Sequence, residues 1–159
     1  MVRKGEKWGY IDKSGTYVID PRFDKAYGFS GGIAGVRQGN TWGFINESGR
    51  YVINPDFEAV SRFSEGLSAV KREGRWGYID KSGTYVIVPR FEEAWPFSDG
   101  MSAVKEGEKW GYIDKSGAFV VAPRFDEVKV FFGEIAAVKV QGKWGYINKT
   151  GASVWDASD

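Results

Sequence analysis

The stretch "KWGYIDKSGTYVI", Lys7 to Ile19, returns as "RWGYIDKSGTYVI" from Arg75 to Ile87. Its reading decides the fold. Trp-Gly occurs at Trp8, Trp42, Trp76, Trp110 and Trp144, each 34 residues from the next, with no insertion or deletion. Aligned on Trp8 and Trp76, the first and third copies agree at 21 of 34 positions. A fixed period of this size marks a tandem array of small supersecondary units.

A 34-residue period also fits paired helices, but the residues do not. Each copy is rich in Val, Ile, Tyr and Trp, carries Gly every few residues and, in four copies, a Pro. Such a composition forms helices poorly and strands well. The third copy predicts three strands: A over Leu67 to Arg72, B over Arg75 to Asp80, and C over Thr84 to Val88. A tight turn at Glu73-Gly74 joins A to B, and "KSG" joins B to C. The proline that follows strand C is expected to end it, because proline cannot donate to a ladder.

The B–C turn has a chemical explanation. An Asp or Asn side chain can accept bonds from the backbone two residues on, and a following glycine can take a positive φ. All five copies keep that pair: Asp12, Asn46, Asp80, Asp114 and Asn148, then Gly15, Gly49, Gly83, Gly117 and Gly151. Turn formation accounts for this row better than metal binding, since a calcium site needs several oxygens converging on one ion. With a regular hairpin, Ile79 faces Tyr85 and Gly77 faces Ile87. The glycine after each tryptophan (Gly9, Gly43, Gly77, Gly111, Gly145) is expected to lie beneath a neighbouring aromatic.

The shared motifs, "KWGYIDKSG", "VIxPxF" and "FSxGLSAVK", resemble those of the WG-repeat (KWG repeat) family of bacterial β-repeat proteins, and they run through the whole chain. The resemblance implies a β-rich repeat protein and an interaction module. It transfers no catalytic residue. The expected fold is all-β: one tandem-repeat domain over residues 1–159 with five three-stranded antiparallel units at 2–20, 33–54, 67–88, 101–122 and 135–155. The small pairs of strand A (Ala34-Gly35, Ser68-Ala69, Ser102-Ala103, Ala136-Ala137) favour a closed propeller-like ring over an open β-solenoid or superhelix. The last unit departs from pattern. Ser153 stands where the others have Tyr17, Tyr51, Tyr85 and Phe119, and Trp155 replaces an Ile or Val.

Composition narrows function mainly by exclusion. The 159 residues hold 22 basic and 21 acidic side chains, a net charge of +1, and neither His nor Cys. That balance argues against a generic grip on nucleic acid. The missing residue types remove histidine-based catalysis and His/Cys zinc sites. No phosphate-binding or dinucleotide fingerprint is present, and no carboxylate pair stands out from the repeated acids. No catalytic residue, cofactor or metal is expected, and no membrane span. No signal segment is visible, so the compartment is open, and a secreted or surface setting fits if the chain is part of something longer.

Positions shared by all units, the five Trp-Gly steps first among them, read as scaffold. Recognition is expected at the connector residues that vary: Tyr27, Arg62, Trp95 and Lys129, a mixed aromatic and cationic set. The expected function is non-enzymatic binding or scaffolding of a protein or peptide. A carbohydrate or cell-wall binder, or a structural spacer in a larger surface protein, are the alternatives. Arg22, Arg90 and Arg124 are expected to pair with nearby Asp24, Glu92 and Asp126.

Overall fold

The computed structural model describes residues 1–156. Among them there is no helix, and every strand pairing is antiparallel. The third unit shows the plan. Strands A (Ser68–Arg72), B (Arg75–Ile79) and C (Tyr85–Phe91) form a meander. A fourth strand, Ala59–Val60, comes from the preceding connector and pairs along the free side of strand A. The second, fourth and fifth sheets repeat this four-stranded order, starting at Lys25–Ala26, Glu93–Ala94 and Glu127–Val128. The first sheet (Val2–Lys4, Lys7–Ile11, Tyr17–Phe23) has three strands. No sheet closes on itself.

The B–C turns form as their residues dictate. Asp80 Oδ1 accepts from the Ser82 amide (2.8 Å), the Ser82 hydroxyl (2.6 Å) and the Thr84 amide (3.0 Å). Gly83 takes φ 87° and donates to the Asp80 carbonyl. Asp12, Asn46, Asp114 and Asn148 accept from the amides two and four residues on in the same way. Hydrogen bonding within the turn holds each carboxylate below its ordinary pKa.

Strand C corrects two expectations. It does not end at the proline but runs through Pro89 to Phe91, because the ladder skips that segment. Trp76 pairs with Phe91 and Tyr78 with Ile87, so two steps on strand B face four on strand C. A proline inside such a bulge loses no ladder bond. A second, smaller irregularity puts Tyr78, not Gly77, opposite Ile87, while Ile79 faces Tyr85 as the hairpin predicts. The same bulge explains the glycine after each tryptophan. A Cβ on Gly77 would lie 2.5 Å from the Ile87 carbonyl oxygen and 2.7 Å from Pro89 N. Main chain, not an aromatic ring, covers this glycine, and Gly9, Gly43 and Gly111 meet the equivalent atoms.

The core lies between units. One buried cluster joins Tyr10, Ile19 and Phe23 of the first unit to Ala34, Val36 and Ile45 of the second. Three equivalent clusters fill the later junctions. Each turn glycine after the first rests on the strand-C aliphatic of the unit before it. Ile19 lies 3.2 Å from the Cβ position of Gly49, Ile53 3.3 Å from that of Gly83, Ile87 3.2 Å from that of Gly117, and Val121 3.0 Å from that of Gly151. Gly15 meets nothing within 4 Å, so this contact is not made in front of the first unit by any described residue.

Arg22, Arg90 and Arg124 do not pair with the neighbouring acids. Each donates across a junction to the turn glycine carbonyl 27 residues on: Gly49 (2.6 Å), Gly117 (2.7 Å) and Gly151 (2.5 Å). Each guanidinium also lies over its adjacent Phe ring. The acids take other partners: Asp24 pairs with Lys7, Glu92 with Arg75 and Asp126 with Lys109. The physical reason is reach. A turn carbonyl of the next unit faces each arginine, whereas the acids are already held between a strand-B cation and the next unit's A–B turn, where Asp24 accepts from the Gly39 amide (2.7 Å) and Asp126 from the Gln141 amide (2.6 Å).

Candidate functional site

The connectors are pinned on both sides before their variable residues come into play. Residue 27 and its equivalents donate a backbone N–H to strand A of the next sheet: Tyr27 to Gly35 O, Ser61 to Ala69 O, Trp95 to Ala103 O and Lys129 to Ala137 O. From the unit behind, the hydroxyls of Tyr10, Tyr78 and Tyr112 donate to the carbonyls of Tyr27, Trp95 and Lys129 at 2.7–2.9 Å. Burial pushes the Tyr10 pKa up to about 12 and raises those of Tyr78 and Tyr112 further, so all three stay protonated donors. Two residues later, Phe29, Phe63, Phe97 and Phe131 plug against Tyr10, Phe44, Tyr78 and Tyr112 with ring centroids 4.7–5.0 Å apart.

This frame lays the variable side chain on the Trp-Gly indole of the following unit. Tyr27 stacks on Trp42 (centroids 4.9 Å, planes 20° apart). Trp95 meets Trp110 edge-on at 5.6 Å. Lys129 Nζ stands 5.5 Å from the Trp144 ring centroid, with Lys139 Nζ at 5.7 Å from the same ring. In the second connector Ser61 carries no ring; its hydroxyl accepts from the Ala69 amide instead. Arg62, exposed, reaches back over Tyr27 at 5.6 Å. The structure thus brings Arg62 and Tyr27 together above Trp42, while Trp95 and Lys129 each occupy their own junction on a different tryptophan.

The tryptophans are the base of each arrangement. Trp42 and Trp110 are buried, and Trp8, Trp76 and Trp144 are half-buried. Sequence reasoning named both sets of residues but not their pairing. The link from 27 to 42 spans the inter-unit junction and follows only once strand order is known. Lys139, on strand A, was not singled out, and a lysine in an alternating strand carries no signal of its own. Among the described residues no group of three or more acids could hold a metal ion, and no helix is long and apolar enough to cross a membrane.

Stacked antiparallel sheets with junction-centred cores and one Trp-Gly step per unit define a tandem β-repeat protein of propeller-like fold. The profile of the WG containing repeat family matches residues 8–42, 42–76, 76–110 and 110–144, and the chain belongs to that family. A comparison with curated proteins finds no matching sequence. Among solved structures the chain is similar to KlHsv2 with loop 6CD replaced by a Gly-Ser linker, at 9% identity and a TM-score of 0.53. That likeness covers 77% of this chain and 46% of the other, so the chain spans less than half of that protein, and the similarity is one of fold. A repeat β domain of this kind is consistent with a binding or scaffold module.

Proposed function

We propose that the chain is a non-enzymatic module that binds a protein or peptide through its variable connectors. The observation that carries this reading is the constancy of the base beneath a changing head. The equivalent indole of each following unit (Trp42, Trp110, Trp144) underlies a phenol at Tyr27, a second indole at Trp95 and an ammonium at Lys129. A rigid main chain presenting different side chains at equivalent points suits an extended partner that touches several units. Aromatic and arginine side chains on a fixed base are the kind that dominate protein interfaces.

The geometry supports a peptide over a sugar. Sugar stacking needs an open ring face, and Tyr27 has Trp42 on one side and a guanidinium over the ring. The test is a pull-down with the full chain, run beside a glycan array. A specific protein partner lost on combined Arg62→Ala and Lys129→Ala substitution, with a silent array, supports the reading. Glycan binding that survives those substitutions, or silence in both assays, overturns it in favour of a carbohydrate module or a spacer.

A further inference from the structure

The junction between the fourth and fifth units differs from its siblings in one ring. In the first junction Phe23 meets Tyr51 edge-on at 6.4 Å, and in the third Phe91 meets Phe119 at 6.1 Å. In the second, Tyr85 packs against the cluster that contains Phe57. The equivalent partner of Phe125 is Ser153. Where the ring would sit there is a cavity of about 450 Å³ lined by Phe125, Val138, Ile147, Trp144 and Ser153.

Two further features define what would fill it. Among the described residues, the charged members of the lining are Arg124 and Lys143, both cations. In the second unit Tyr51 donates its hydroxyl to Gln38; the residue equivalent to Gln38 here is Val140, which also lines the cavity. The volume falls in the range of small-molecule sites, which pair mostly apolar walls with a few placed polar groups.

We propose that this cavity binds a small free aromatic acid: one phenyl or phenol ring, seated against Phe125 where sister units hold their own Tyr or Phe, with its carboxylate held by Lys143 and Arg124. An apolar cavity shaped for a missing ring accepts a ring from solution, and the two cations supply charge complementarity. The inference stands apart from the connector reading, since it uses none of the connector residues.

The test is a titration of the full chain with 4-hydroxyphenylacetate, followed by amide chemical shifts and by thermal melting. The expected result is shifts confined to Val138, Ile147, Ser153 and their neighbours, and a melting temperature raised by about 2–4 °C at several times the dissociation constant. p-Cresol, which lacks the acid, and cyclohexylacetate, whose ring is saturated rather than aromatic, should both bind more weakly. Ser153→Tyr should fill the cavity from within and abolish binding, and Lys143→Gln should weaken the acid but not p-cresol. Absence of shifts, shifts that map elsewhere, retained binding in a folded Ser153→Tyr variant, or binding of a peptide ending in tyrosine but not of the free acid would each overturn the proposal. The shift map of the unsubstituted protein decides the matter even if Ser153→Tyr fails to fold.

Discussion

Arg90 of the third unit donates to the carbonyl of Gly117 in the fourth at 2.7 Å, while its guanidinium lies 4.6 Å from the Phe91 ring centroid. One side chain thus ties a turn of one unit to the bulged strand of the unit before it. Replacing Arg90 by Ala removes a charge-assisted bond and leaves the turn carbonyl without that partner. The expected cost is about 1–3 kcal/mol in urea unfolding. Arg90→Lys should recover only part of it, because an ammonium cannot both stack on the ring and reach the carbonyl in the guanidinium's geometry.

The bulge makes a sharper prediction at Gly77. Alanine there would press its Cβ against the Ile87 carbonyl and Pro89 N, which are main-chain atoms and cannot swing aside. Gly77→Ala should destabilise by about 3 kcal/mol or more. Gly28→Ala is the control: nothing lies within 4 Å of its Cβ position and its φ is not positive. It should change stability by less than about 0.5 kcal/mol. Equal effects in denaturant melts would refute the bulge as the reason for the glycine.

Removing the indole at Trp110 tests the junction core. Trp110 is buried, packs with Trp95 and belongs to the cluster joining the fourth and fifth units. Trp110→Ala is expected to cost about 3–5 kcal/mol. A variant that melts with the parent would show that the indole is not part of the core.

Acid should weaken the B–C turns in a selective way. Asp12, Asp80 and Asp114 have folded pKa values below the ordinary 3.8, lowered first by the serine hydroxyl two residues on. A carboxylate with a depressed folded pKa adds stability that is complete above its unfolded pKa and disappears as pH falls through the folded one. Stability should therefore hold down to about pH 4 and decline below it. Asp80→Asn keeps the acceptor oxygen, as Asn46 and Asn148 do in their turns, and should flatten the acid limb. An unchanged acid limb in the Asp12, Asp80 and Asp114 triple Asn variant would assign acid unfolding to other groups.

Alkali acts on the buried phenols. Tyr10 is pushed up to about 12 by burial, and Tyr78 and Tyr112 are raised as well. Above an unfolded pKa near 10 the unfolded chain ionises while the folded one keeps its protons, so stability should fall as pH rises past 10. Tyrosinate absorbance from these three rings should appear only with unfolding, as a late stage of the alkaline titration. Tyr78→Phe, which copies the Phe44 of the second unit, should shift that late stage and cost about 1 kcal/mol.

The parts of this fold that were legible in the sequence are the local ones. The Asp/Asn-Gly pairs announce turns through their own side chains, and the fixed spacing of Trp8, Trp42, Trp76, Trp110 and Trp144 announces equal units. The two-residue strands such as Glu93–Ala94 were not legible, because two residues show no alternation. The bulge at Pro89 was hidden because counting across a hairpin assumes an unbroken ladder. Arg90 was assigned to Glu92, its neighbour in sequence, whereas its true acceptor is a carbonyl 27 residues away. The candidate connector residues were visible as variation on a constant background. That Tyr27 and Trp95 rest on the next unit's indoles required the three-dimensional register.

The repeated seating of a turn glycine on the preceding unit's aliphatic also bears on how such a chain can change length. Each seam is a near copy of the last, so splicing in or deleting a whole 34-residue block joins surfaces that already match. Stability in such an array should grow by a roughly constant increment per added block. Gene duplication inside the array would then yield a sound protein at the first attempt, leaving the newest block's connector at liberty to drift toward a new binding preference.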